Sequence, residues 1–102
     1  LRAPDGPGTP LTLSGAITPA ALGMLCARVR DLVAGGPGEP VVCDVSRLTA
    51  DLEAVDALGR LQLDARRLGG SIALMGASSR LWELLELCGL AGTLPPAGPS
   101  PG

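Results

Sequence analysis

Apolar and polar positions change their spacing several times along the chain, and each change marks an element. "LTLSG" (11–15) reads as a short strand ending at Gly15. Thr18-Pro19 then offers a capping hydroxyl followed by Pro at the first helical position. Behind it Leu22, Leu25, Cys26, Val29, Leu32 and Val33 recur at helical spacing and define one apolar face. Gly35-Gly36-Pro37 ends this helix, because Gly accepts a left-handed cap and Pro cannot continue the ladder.

"VVCDV" (41–45) is almost wholly apolar and rich in β-branched residues, the pattern of a strand buried on both faces of a parallel sheet. A helix is predicted from about Asp51 to Leu68. Ala54, Leu58, Leu61, Ala65 and Leu68 line one side of it, and Glu53, Asp56, Arg60, Asp64 and Arg67 the other. The signs permit Asp56–Arg60 and Asp64–Arg67 pairs. Gly69-Gly70 closes the helix, and "SIALMG" (71–76) reads as a third strand. Ser78 or Ser79 can cap a last helix with Leu81, Leu84, Leu85 and Cys88 on its apolar face and Gly89 at its C-terminal end. Strand and helix thus alternate three times. The expected fold class is α/β: a small, mostly parallel sheet of three to four strands with about three helices. So narrow a sheet has an edge that something must cover. The domain is expected over 11–94. A loop-like segment with three Pro and two Gly (1–10) precedes it, and a mobile Pro/Gly tail (95–102) follows.

A length of 102 residues allows one domain with one modest core. Trp82 is the sole aromatic residue, so that core must be built from Leu, Val, Ala and Ile. A net charge of −2 gives no electrostatic reason to expect nucleic acid, and no aromatic platform exists for stacking bases. No apolar run is long enough to span a bilayer, and the first ten residues hold no hydrophobic signal core, so a cytoplasmic protein is expected. With no His and three widely spaced cysteines, no metal site is expected. Cys26, Cys43 and Cys88 are read as three buried thiols in a reducing compartment. The chain also lacks Tyr and Lys, which removes the usual bases and Schiff-base chemistry. Its glycine clusters lack the Lys-Ser/Thr of a phosphate loop. Neither an enzyme nor a cofactor is expected.

Three features point to a family. The apolar strand ends in Asp-x-Ser (Asp44, Ser46), Gly-Gly precedes a strand, and the last helix closes with "LLELCGL" (84–90). In this order the chain resembles, from about Leu11 to Leu94, the STAS domain of anti-sigma factor antagonists. The resemblance implies a sheet-and-helix fold that binds protein partners. In that family the second helix opens with Asp-Ser-(Ser/Ala)-Gly, and a partner kinase phosphorylates the first serine. Laid on this chain, the motif falls on Asp51, Leu52, Glu53 and Ala54. Leu52 cannot accept phosphate, so the usual switch is expected to be lost. Thr49 and Ser46 are the nearby hydroxyls that could be modified instead. Thr18 replaces the acid that usually follows the family's first strand. An additional N-terminal strand common in the family is weak or absent in residues 1–9.

Asp51, Glu53 and Asp56 complement the helix dipole, each by about 0.3–1 kcal/mol. They can also ring Leu52 as a docking patch for a basic, partly apolar partner. The expected partner-binding residues are therefore Thr18, Thr49, Asp51, Leu52, Glu53 and Asp56. Trp82 is either an interface anchor or a side chain folded against a neighbouring loop. The leading reading is a non-catalytic partner-binding domain resembling an anti-sigma factor antagonist, with an anti-sigma factor kinase as its partner. The alternative is a cytosolic STAS-type accessory subunit of an ATP-driven membrane lipid transporter, docking on the transporter ATPase. Self-association into a homodimer stays open.

Overall fold

The computed structural model describes residues 11–35 and 40–96. Six elements follow one another: β1 (Leu11–Gly15), α1 (Pro19–Gly35), β2 (Val41–Leu48), α2 (Leu52–Arg67), β3 (Ile72–Met75) and α3 (Ser79–Leu87). The three strands form one parallel sheet in the order β1-β2-β3. This is the α/β architecture that the alternating pattern predicts. Residues 1–9, where the family's additional N-terminal strand reads as weak or absent, lie outside the described residues.

Sequential strand order with crossovers of one hand places the connecting helices on a single face of the sheet. The burial pattern agrees. Leu11 and Leu13, Val41, Cys43 and Val45, and Ile72 and Leu74 are buried in one cluster with Val29 and Val33 of α1, Leu58 and Leu61 of α2, and Leu81 and Leu85 of α3. The register sets Leu11, Cys43 and Leu74 side by side on that face. The reverse face carries Thr12, Asp44 and Met75 in the next row; Thr12 and Met75 are exposed and Asp44 half-buried. The expectation that β2 is buried on both faces is therefore corrected. Its apolar run is helix-covered on one side, and Val42 on the other is only half-buried.

β2 also runs three residues beyond the predicted end. The pairing steps from Thr12↔Asp44 to Ser14↔Arg47, so β2 holds one extra residue there. Such a bulge shifts the alternation by one. Val41, Cys43 and Val45 point inward, Ser46 and Arg47 both outward, and Leu48 inward again. Asp44 supplies the local bonds: its Oδ1 accepts from the Ser46 amide at 3.0 Å and from the Ser46 hydroxyl at 2.7 Å.

The uncovered edge expected of a narrow sheet is closed on the β3 side by two devices. Gln62 of α2, although fully buried, accepts from the Ile72 amide through Oε1 at 2.8 Å. Its Nε2 donates to the Ile72 carbonyl at 3.3 Å and to the Thr93 carbonyl at 2.6 Å. Two residues on, the Leu74 amide donates to the Pro95 carbonyl at 2.9 Å. The first residues of the Pro/Gly tail thus lie along β3, with Pro96 bridged to Leu74. The rest of the tail lies outside the described residues.

Several sequence-level expectations meet corrections. Leu68 is 50% exposed and serves as the C-cap of α2, not as part of its buried face. Asp64 does not pair with Arg67; it turns to α1, where Arg30 Nε donates to its Oδ2 at 3.2 Å. The Asp56–Arg60 pair forms as expected, at 2.8 Å. Only Cys43 is fully buried; Cys26 is half-buried and Cys88 exposed. Trp82 packs half-buried against the core. Gly70 owes its identity to packing rather than helix ending, because a Cβ there would sit 2.8 Å from a Val33 methyl.

Candidate functional site

Every strand points the same way, so each following helix begins at the same edge of the sheet. Three capping side chains gather there. Thr18 Oγ1 accepts from the Ala21 amide at 3.1 Å, Asp51 Oδ1 from Ala54 at 2.8 Å, and Ser78 Oγ from Leu81 at 3.2 Å. Each answers a helix N-terminus whose first amides have no intrahelical partner. The loops are drawn together by the ladder itself. Gly15 pairs with Leu48, and the Thr49 amide donates to the Gly15 carbonyl at 3.0 Å. On the other side Gly76, at φ +75°, comes so close that a Cβ would stand 2.9 Å from Ser46 Cβ. L side chains rarely adopt that conformation, so glycine is required on both counts.

Leu52 is the first residue of α2, and 64% of it is exposed to solvent. Burial of that side chain in the core would have removed it from any surface. The expected ring of acids around it is differentiated. Asp51 is half-buried and commits one oxygen to its cap. Asp56 is exposed but holds Arg60. Glu53 is exposed, and among the described residues no side-chain bond to it is recorded. Thr49 is exposed in the turn, two residues before the cap. Thr18, Thr49, Asp51, Leu52, Glu53 and Asp56 therefore all belong to the starts of α1 and α2 or the turn before α2, with Thr18 and Asp51 holding structural caps.

Ser46 is exposed, yet its hydroxyl is given to Asp44. That hydroxyl, followed by the Ser46 amide, holds the Asp44 carboxyl below its ordinary range. Among the described residues, no group of three or more His, Cys, Asp or Glu side chains is placed to hold a metal ion. No helix there is long and apolar enough to cross a membrane.

The fold and the Asp44–Ser46 pair within β2 are features that the sequence resemblance implied. A family model described as "Mlab, STAS domain" matches residues 3–96. The chain belongs to the STAS family. No curated protein matches it. STAS domains are in general non-catalytic interaction modules, and this STAS domain carries an exposed leucine at the start of α2. Leu63 escaped the sequence reading. It is 58% exposed and lies off the Ala54–Leu58–Leu61–Ala65 face, which was the available signal.

Proposed function

We propose that this STAS domain docks on a protein partner through the start of α2, in the manner of an anti-sigma factor antagonist, with phosphate control at residue 52 lost. The observation that carries the reading is the placement of Leu52: an aliphatic side chain, 64% exposed, on a helix N-terminus fixed by Asp51. A solvated leucine beside an exposed carboxylate at Glu53 fits a partner surface that is apolar at its centre and basic at its rim. Phosphorylation would add nearly two negative charges to such a contact and could release the partner. A leucine offers no oxygen for that step, so docking here is constitutive.

A second reading stands beside the first: an accessory subunit that docks the same patch on the ATPase of a lipid transporter. The description of the matching family, Mlab, names no sigma factor, which favours keeping it. Affinity capture with the full chain, followed by mass spectrometry, separates the two. A sigma-pathway kinase supports the first reading, and a transporter ATPase or permease the second. Capture of the same partners by Leu52→Arg as by the wild type would overturn the docking patch in both.

A further inference from the structure

The outward side of α2 extends well beyond its first turn. Leu52, Asp56, Gly59, Leu63 and Arg66 recur at spacings of four and three residues, the spacing of a helix-helix seam. Leu52 and Leu63 are large, apolar and mostly exposed. Eleven residues apart, they lie about 16 Å from each other along the axis and within about 20° around it. Gly59 between them is half-buried, and Leu90 Cδ1 lies 3.4 Å from where a Cβ on it would stand.

The exposed charges of α2 are sorted by sign. Glu53 and Asp56 occupy its first half, and Arg60, Arg66 and Arg67 its second. Asp64, which would break the order, is drawn aside to Arg30 of α1. A stripe with a leucine near each end, acidic above and basic below, is complementary to its own reversed copy.

We propose that this stripe is a self-association surface: two copies of the chain pair α2 against α2, antiparallel about a two-fold axis at the level of residues 57–59. Leu52 of one copy then meets Leu63 of the other, and the acidic half of each helix faces the basic half of its partner. The interface is isologous, as two-fold symmetry requires. A single crossing of helices buries less than the roughly 800 Å² per partner of a standard interface, so the dimer is weak and reversible. One consequence rests on the proposed docking function. Leu52 is shared, so an incoming partner must displace the second copy, and self-association competes with docking.

Sedimentation equilibrium of the full chain, from tens of micromolar to about 1 mM, tests the proposal. A concentration-dependent dimer is expected, weakened by salt because opposed surface charges are screened. Leu63→Arg raises its dissociation constant by more than about tenfold, the loss of one buried leucine contact. Asp56→Arg does the same by placing like charges together, and the double variant Asp56→Arg/Arg60→Asp recovers association. A chain that stays monomeric throughout overturns the proposal. So does a dimer indifferent to Leu63→Arg but lost in Ala27→Arg, which would move the contact to the exposed side of α1 beside Met24. Leu63 lies outside the docking patch, so capture of a partner by Leu63→Arg is retained. Loss of capture in Leu52→Arg reports on docking whatever the oligomeric state.

Discussion

Asp51 and Leu52 are consecutive residues with opposite fates: one turns inward and the other outward. The Asp51 carboxylate accepts the Ala54 amide at 2.8 Å and fixes the first turn of α2. That turn projects Leu52 into solvent. The cap is thus the structural support of the exposed side chain. Replacing Asp51 by Ala is expected to cost about 1 kcal/mol of stability, and Asp51→Asn or Asp51→Ser much less, because both retain an accepting oxygen. Urea unfolding of the three variants measures the difference.

Gln62 predicts a larger loss. Its fully buried amide meets both backbone groups of Ile72 and the carbonyl of the half-buried Thr93. Gln62→Leu preserves most of the volume but leaves these buried groups unsatisfied, at about 1–3 kcal/mol for each uncompensated group. A net loss of about 3 kcal/mol is expected in chemical denaturation. Amide exchange at Ile72 should accelerate by more than that at Val41, which keeps its bond to Ser71 within the sheet.

These two residues also show what could be read in advance. The start of α2 was legible because Asp51 directly precedes a helical repeat, a local signal. The alternation of elements, the parallel sheet and the Asp56–Arg60 pair were legible for the same reason. Gln62 was not, since its partners lie 10 and 31 residues away and no spacing announces them. The turn of Asp64 to Arg30, across 34 residues, was hidden likewise. The bulge in β2 escaped because Ser46 and Arg47 look like the end of a strand. The ladder continues past them to Leu48. Of the candidate site, the sequence located Leu52 and its neighbours, the Thr18 cap and the Asp56–Arg60 pair, but not that Asp51 is occupied as a cap.

The Asp44–Ser46 hydrogen bonds predict a pH effect. Asp44 has its pKa lowered from the ordinary 3.8, first by the Ser46 hydroxyl and then by the Ser46 amide. A carboxyl with a depressed folded pKa contributes stability that is complete above its unfolded pKa. That contribution is lost as pH falls through the folded value. Ser46→Ala removes the hydroxyl donor and should bring the Asp44 titration, followed by NMR of its carboxyl carbon, back toward 3.8. The associated loss of stability appears near neutral pH and vanishes in strong acid.

The three thiols should separate by reactivity. Burial pushes the Cys43 thiol up to about 12, so it stays neutral and shielded at neutral pH. Burial, and then the nearby Asp64 carboxylate, also raises the Cys26 thiol. Cys88 is exposed. A water-soluble thiol reagent should therefore label Cys88 first. Cys43 should react only as fast as the domain opens, as peptide mapping of a labelling time course would show.

The proposed function makes residue 52 a contact that holds a partner without phosphate control. Its most direct test is the affinity of the captured partner for wild-type chain and for Leu52→Arg, compared at equal fold content by circular dichroism. A loss of more than about tenfold, from removal of one leucine contact and insertion of a charge, is the result predicted. Equal affinity of the two chains would contradict it.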